Sequence, residues 1–218
     1  TWYTTYHLAR TKAAQPLPLA FGGEAEPADY ARAVADGGVL ALIATLGLLQ
    51  LGHETTPELL QLTGSTLFLY GLAMAETRAV KARWAALLSL PVMAASGSPA
   101  VALMLGAAGS VICLLSRQAE LRQYLRWVLV SMVLAMALAS GLSALGLSGW
   151  SWRLSWPDTP GEVLRLLVWF TWPTLPLAVL TIWHWRRQVT HRHIAVPLLT
   201  ALVGLLASLS MGANERAL

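Results

Sequence analysis

Charged side chains are scarce in this sequence. They make up 12% of its 218 residues, whereas hydrophobic residues make up 56%, and a typical soluble domain is about 25% charged. The excess of positive charge, a net +4, is scattered over short segments between apolar runs rather than gathered on one domain. This pattern excludes a nucleic-acid partner and indicates a membrane protein, because positive charge in short loops sets membrane orientation.

Cysteine and the motifs of soluble catalysis are also missing. The single cysteine, Cys113, lies in an apolar run, so it forms no internal disulfide and has no companion zinc ligands. We interpret it as a small buried hydrophobe. No glycine-rich phosphate loop, His-Glu-x-x-His or Gly-x-Ser-x-Gly sequence occurs, which argues against an ATPase, a zinc protease and a serine hydrolase in this stretch.

Apolar runs, in contrast, are abundant and predict an all-α, polytopic bundle of about seven transmembrane helices. The predicted spans are residues 37–52, 59–75, 84–96, 99–115, 127–147, 163–183 and 194–212. A straight helix needs about 20 residues to cross the hydrocarbon core, so the third run is too short unless its ends extend. Because Pro91, Gly97 and Pro99 interrupt that region, a broken or shallow hairpin is the alternative there.

The charged loops predict the orientation. Twelve of the fifteen Lys and Arg residues lie in residues 1–36 and in loops 77–83, 116–126 and 184–193. These segments fall on one side of the membrane if seven spans alternate, and the positive-inside rule makes that side the cytoplasm. We therefore expect a multi-pass membrane protein, with its amino end in the cytoplasm and with membrane lipid as a partner.

Two domains are predicted: a cytoplasmic segment, 1–36, and a transmembrane domain, 37–218. Within the first, prolines and glycines break any regular pattern. A short interfacial helix over 27–36 is the exception, and the rest is expected to be a loop. Both ends of the sequence look cut, so we expect an internal fragment of a longer protein.

One predicted outer loop, residues 53–58, concentrates chemistry. It carries His53, Glu54 and Glu58 within six residues. Pro57 suits the first turn of a helix, and a carboxylate at Glu58 is favoured there by the helix dipole. A capped helix start explains these residues as well as a metal or acid–base site does.

The second predicted outer loop, 148–161, is rich in tryptophan. Trp152, Trp156 and Arg153 suit either an interfacial anchor or a surface that binds sugar and phosphate. Arg165, just inside the next span, is either functional or snorkels to the surface. The histidines of loop 184–193 are interpreted as part of a solvated loop that touches anionic lipid, with a metal site as the alternative.

These residues resemble a known family. Residues 53–60 (His-Glu-Thr-Thr-Pro-Glu-Leu-Leu) and 69–73 (Leu-Tyr-Gly-Leu-Ala) look like the second outer loop and following helix of bacterial membrane glycosyltransferases of the GT-C type, such as aminoarabinose transferases and protein mannosyltransferases. Residues 95–99 (Ala-Ser-Gly-Ser-Pro) match the turn that is often Ser-Lys-Gly-Pro in the family, without its lysine. The basic loop 117–126 follows as in the family, and residues 214–216 resemble the start of a further outer segment.

The resemblance implies a location in the bacterial inner (plasma) membrane and transfer of a sugar from a polyprenyl-phosphate donor to lipid A, another glycan or a protein on its outer face. Glu58 falls on a carboxylate position of the family, usually Asp, which assists catalysis and is the place where a divalent metal ion would bind. Glu54 is carried over as catalytic, and His53, Arg153, Arg165, Trp152 and Trp156 as substrate-binding. The family's main acidic residue lies in its first outer loop, which is absent here, so we expect this fragment to be inactive alone.

Two other classes of protein remain open. A transporter commonly carries ionisable groups near the middle of the membrane, whereas the candidate polar residues here lie at the outer mouth. A non-catalytic scaffold subunit needs no site at all.

Overall fold

The computed structural model describes residues 1–16, 25–44, 57–116, 118–147, 160–172, 174–188 and 191–210. All regular structure in these ranges is helical, which confirms the all-α prediction. The helices are α1 (Trp2–Ala9), a short 3-10 helix (Lys12–Ala14), α2 (Pro27–Ile43), α3 (Pro57–Met74), α4 (Ala79–Ala95), α5 (Pro99–Leu115), α6 (Ala119–Ala144), α7 (Pro160–Thr171), α8 (Thr174–Trp185) and α9 (Arg192–Ser210).

Proline marks the start of several helices. Helices α2, α3, α5 and α7 each begin with a proline, because the first turn has no use for the missing N–H and the fixed φ suits it. The predicted first-turn positions of Pro57 and Glu58 are therefore confirmed. The turn from α4 to α5 requires Gly97, whose φ of +96° is one that residues with a Cβ rarely adopt.

Helix α4 lies at the centre of the bundle, antiparallel to α3 and parallel to α6. Two buried hydroxyls tie α6 to the backbone of α4. Tyr124 donates to the carbonyl oxygen of Ala82 at 3.0 Å, and Ser131 donates to that of Ala86 at 2.5 Å. Because both bonds are buried, they fix the register between the two helices.

Small residues allow the core helices to approach closely. A Cβ on Gly109 of α5 would lie 2.5 Å from the Phe68 ring of α3, and one on Gly106 would lie 2.6 Å from Met132 of α6. The buried face of α4 is also rich in alanine, with Ala82 and Ala86 fully buried. Close packing on small residues is typical of helix association within membranes.

Helix α4 corrects the prediction for the third span, residues 84–96. That run was predicted to be short, or a broken hairpin, but α4 is a continuous helix of 17 residues that contains Pro91. It begins five residues earlier than the predicted span, at Ala79, and its first turns include Lys81 and Arg83. Packing against α3 and α6 allows the helix to continue through the proline.

Other boundaries differ as well. Residues 2–9, expected to be a loop, form α1. The helix expected over 27–36 and the start of the span expected over 37–52 form one helix, α2, and residues 45–52 of that span lie outside the described residues. The predicted span 163–183 is divided into α7 and α8. Pro173 lies between them in the sequence, and proline cannot continue the hydrogen-bond ladder of a preceding helix. Helix α5 has the predicted bounds.

By length and composition, one described helix, α6, could cross a membrane unaided. Helix α5 and residues 192–207 of α9 are apolar but shorter. The coarse prediction of an apolar, helical chain therefore holds for the described ranges. Seven spans are more than this criterion supports.

Candidate functional site

Glu58 lies in the first turn of α3 and is partly exposed. No hydrogen bond or ion pair joins its carboxylate to another described residue. The helix itself supplies favourable electrostatics, because the free N–H groups of a first turn stabilise a nearby negative charge. The geometry thus agrees with the predicted helix start and leaves the carboxylate partly exposed.

The remaining predicted site residues are not brought together by the described part of the chain. His53, Glu54, Arg153, Trp152 and Trp156 lie outside the described residues. Arg165 is exposed in the second turn of α7. No group of three His, Cys, Asp or Glu side chains that could hold a metal ion occurs within the described ranges.

A polar cluster that the sequence interpretation missed lies at the other end of α3. Arg192, the first residue of α9, has a side chain only 8% exposed and forms an ion pair with Glu76 at 3.2 Å. It also donates to the carbonyl oxygen of Ala73 at 3.1 Å and to Oε1 of Gln118 at 3.3 Å. Gln118 in turn donates to Glu76 at 3.2 Å. We call Arg192, Glu76 and Gln118 the basic-end cluster.

The basic-end cluster joins three parts of the bundle. Glu76 follows α3, Gln118 precedes α6, and Arg192 begins α9. Burial lowers the pKa of Arg192, whereas the negative charge of Glu76 raises it. A buried guanidinium needs such a partner because an uncompensated buried charge is costly.

His7 of α1 contacts the same end of the bundle, near the basic-end cluster. Its Nδ1 lies 3.3 Å from the hydroxyl of Thr77, and its ring lies 5.9 Å from that of Tyr70. Burial lowers the pKa of His7, and the positive charges of Arg78, Arg10 and Arg192 lower it further. The imidazole is therefore favoured in its neutral form, as a packing group among cations.

Two arginines from different basic loops flank one tryptophan. Arg83 lies 5.4 Å and Arg126 lies 5.8 Å from the centre of the Trp127 ring. A cation over an indole face is attracted by the ring quadrupole. The contact of Arg83 with Trp127 therefore joins α4 to α6.

The interpretation of loop 184–193 as a solvated loop holds for residues 184 and 186–188, which are exposed, but not for its end. Arg192 has a buried side chain, and His193 has a buried Nε2. The sequence feature that could have indicated the basic-end cluster is Glu76, an acidic residue that lies just before the basic loop 77–83. A carboxylate in a basic segment requires a local partner, but the sequence does not show which of several arginines supplies it.

A cavity of about 750 Å³ lies between α1, α2, α3, α8 and α9. Its lining is mainly aliphatic, with His193 and Trp185 at the end nearest the basic-end cluster. A volume of this size falls in the ordinary range for small-molecule sites, about 300–1,000 Å³.

Comparisons with known proteins identify no relative. No protein-family model, curated protein or solved structure matches this chain.

Proposed function

We propose that this chain forms a multi-spanning membrane bundle. The supporting observation is the outward surface of α6, where Leu129, Val130, Val133, Leu134 and Met136 are all exposed. No charged residue occurs in this helix after Arg126, and only 22% of its most apolar 18-residue window is buried. A soluble protein would cover or replace such a surface, whereas lipid solvates it.

The proposed orientation places the basic-end cluster at the cytoplasmic face. The supporting contacts bring all four basic segments to one end of the bundle: His7 meets Thr77, Arg83 meets Trp127, and Arg192 meets Gln118. The positive-inside rule assigns that end to the cytoplasm. Trp84 and Trp183, both strongly exposed near this end, suit the membrane interface.

We propose further that the chain belongs to a glycosyltransferase that takes a sugar from a polyprenyl-phosphate carrier on the outer face. Glu58 carries this proposal. It lies at the end of α3 opposite Glu76, so in the proposed orientation its accessible carboxylate faces the outer surface. The resemblance of residues 53–60 to the GT-C type supports the same placement.

The chemistry assigned to Glu58 is proton transfer. An acceptor hydroxyl or amine must lose a proton as it attacks the sugar, and a positioned carboxylate can take it. The leaving phosphate requires positive charge nearby, a role we assign to Arg153 and Arg165. The described residues offer Glu58 no second or third metal ligand, so the divalent ion that the resemblance implies would need ligands from outside the described ranges.

The test is a transfer assay on the full-length protein in membranes, with a polyprenyl-phosphate sugar as donor. Glu58→Gln keeps the size of the side chain and removes the base, so we expect turnover to fall by about 100-fold or more. Glu120→Gln, an exposed carboxylate in the first turn of α6, is the matched control and should retain wild-type turnover. Unchanged turnover of Glu58→Gln would remove Glu58 from the mechanism, and absence of transfer by the wild-type protein would overturn the proposed activity.

A further inference from the structure

Arg83 of α4 and Arg126 of α6 carry charges that no described carboxylate balances. Within the described ranges neither side chain forms an ion pair, and both lie against the ring of Trp127, at 5.4 and 5.8 Å from its centre. We call Arg83, Arg126 and Trp127 the paired-arginine surface. Two like charges beside one ring repel each other, so an anion bound there would stabilise the pair.

The paired-arginine surface is open to a ligand. Arg126 is exposed, and Arg83 and Trp127 are partly exposed. Each guanidinium has five N–H donors, and the indole ring has no acceptor atom for them because its polar group is itself a donor. A phosphate suits these donors, since a guanidinium binds its oxygen atoms through two parallel hydrogen bonds.

Other arginines at this end of the bundle already have oxygen partners. Arg192 is paired with Glu76 at 3.2 Å, and Arg122 donates to the carbonyl oxygen of Ser116 at 3.0 Å. The paired-arginine surface differs because its two cations contact a ring rather than an oxygen atom. Its hydrogen-bonding capacity is therefore available to a ligand.

An apolar strip follows the arginines on both helices. Leu87 lies one turn after Arg83 and is partly exposed, whereas Val130 and Leu134 lie one and two turns after Arg126 and are each 45% exposed. Residues four apart share a face of a helix. Because the bonds between α4 and α6 show that the two helices run parallel, each helix presents a guanidinium first and hydrocarbon next, in the same direction.

We propose that the paired-arginine surface binds the phosphate of an anionic phospholipid, with an acyl chain along Leu87 and Val130. A free phosphate would use the two charges and leave the apolar strip uncovered, and an alkane would do the reverse. A phospholipid with a net negative charge matches both parts, as basic residues at a membrane surface do for anionic lipids generally.

This inference rests on the proposed membrane bundle, in which Arg83 and Arg126 lie at the cytoplasmic interface. It does not rest on the proposed sugar transfer, because Glu58 lies at the other end of α3. Binding of a phospholipid can therefore be measured on protein that performs no transfer.

The test is lipid binding to the purified full chain in detergent micelles, measured by native mass spectrometry. Phosphatidylglycerol and phosphatidylcholine with identical acyl chains are the probes. A basic residue near an anionic headgroup contributes a factor of about five in affinity, so two of them should make phosphatidylglycerol bind at least about tenfold more tightly. Glycerophosphoglycerol, which is the same headgroup without acyl chains, should compete poorly because it leaves the apolar strip uncovered.

Single substitutions locate the site. Arg83→Gln and Arg126→Gln should each weaken binding of phosphatidylglycerol by about fivefold and that of phosphatidylcholine by less. The double variant should bind the two lipids nearly alike. Lys81→Gln is the matched control: it removes the same charge from an exposed residue of α4 that points away from Arg83, since two residues are more than half a helical turn. It should retain wild-type affinity.

Three results would overturn the inference. Equal affinity for the two lipids would show that no net charge is recognised, and equally good competition by glycerophosphoglycerol would show that the ligand is not a lipid. A loss from Lys81→Gln as large as that from Arg83→Gln would show attraction to overall charge rather than to a site. The comparison of the two lipids on wild-type protein decides the question even if a variant does not fold.

The proposed membrane bundle is tested separately by extraction of cell membranes with alkaline carbonate, which releases proteins that do not span the bilayer. A chain that stays in the membrane fraction and does not prefer phosphatidylglycerol would overturn the lipid site alone. A chain that is released would overturn the proposed bundle as well.

Discussion

Two carboxylates stand at opposite ends of α3 and differ in nearly every respect. Glu76 follows the helix and is bound by Arg192 and Gln118. Glu58 lies in the first turn, partly exposed, with no ion pair or hydrogen bond to the rest of the described chain. One carboxylate holds helix ends together, and the other has no partner among the described residues and is partly exposed.

The difference follows from what each end of the bundle must do. The basic end gathers many positive charges, and a buried arginine there is tolerated only beside a carboxylate. No charged side chain is buried in the described part of the opposite end. Two side-chain hydrogen bonds lead there from α3: the amide of Gln61 donates to the carbonyl oxygen of Ser96 at 3.2 Å, and the hydroxyl of Ser65 donates to Sδ of Met93 at 3.6 Å.

Removal of the charge at Glu76 should have the largest effect on stability. Glu76→Gln leaves the buried Arg192 without its counter-charge, so we expect the free energy of unfolding to fall by about 2 kcal/mol. The full value for a buried pair is not expected because Glu76 is itself 40% exposed. Denaturant unfolding in micelles measures the change.

Glu58→Gln is the matched control for that measurement. It loses only a favourable interaction with the helix dipole, worth about 0.5 kcal/mol. Equal destabilisation by the two substitutions would remove the distinction between a structural and an available carboxylate.

A smaller loss is expected from Gly71→Ala, which tests the packing near the Glu76 end of α3. The added Cβ would collide with the hydroxyl of Tyr124 and lie 3.3 Å from the carbonyl oxygen of Ala82. Because Tyr124 bonds that same carbonyl, its side chain cannot move without losing the bond. We expect a loss of about 1–2 kcal/mol in the same unfolding experiment.

Gly141→Ala provides the contrast for Gly71→Ala. A Cβ at Gly141 in α6 meets no atom within 4 Å, and alanine is favoured over glycine inside a helix by about 0.5–1 kcal/mol. The substitution should therefore stabilise the protein. Opposite signs for the two variants support the described packing, and equal signs contradict it.

Acidification should have the smallest effect. The pKa of His7 is lower in the folded protein than its ordinary 6.5, chiefly through burial, so the unfolded chain binds the proton more readily. Stability present above pH 6.5 is then lost as the pH falls toward the folded pKa. His7→Gln should reduce this loss in a pH series of unfolding curves, without removing the similar contribution of His193. An unchanged slope would show that His7 is equally easy to protonate in both states.

The sequence predicted the helical class and the ends of helices that carry clear signals. Pro57 and Pro99 begin helices as expected, since a proline at the first turn is a local signal. The continuity of α4 through Pro91 could not be read locally, because neighbouring helices stabilise it. Helix α1 was missed because its packing against α2 and α3 lies between residues far apart in the sequence.

Among the candidate residues, too, some positions follow from local sequence and others depend on contacts between distant residues. The position of Glu58 in a first turn follows from the residues beside it. The pairing of Glu76 with Arg192, 116 positions away, depends on which helix ends meet. The edge-on contact of Trp185 with His193 likewise depends on the end of α8 meeting the start of α9.

The central claim is that the two ends of α3 lie on opposite sides of a membrane. Single cysteines at Glu58 and at the exposed Lys81, in a Cys113→Ala background, can be treated with a membrane-impermeant maleimide on intact spheroplasts. Glu58→Cys should be labelled directly, and Lys81→Cys only after the membrane is permeabilised. Labelling of both, or of neither, before permeabilisation would contradict the account.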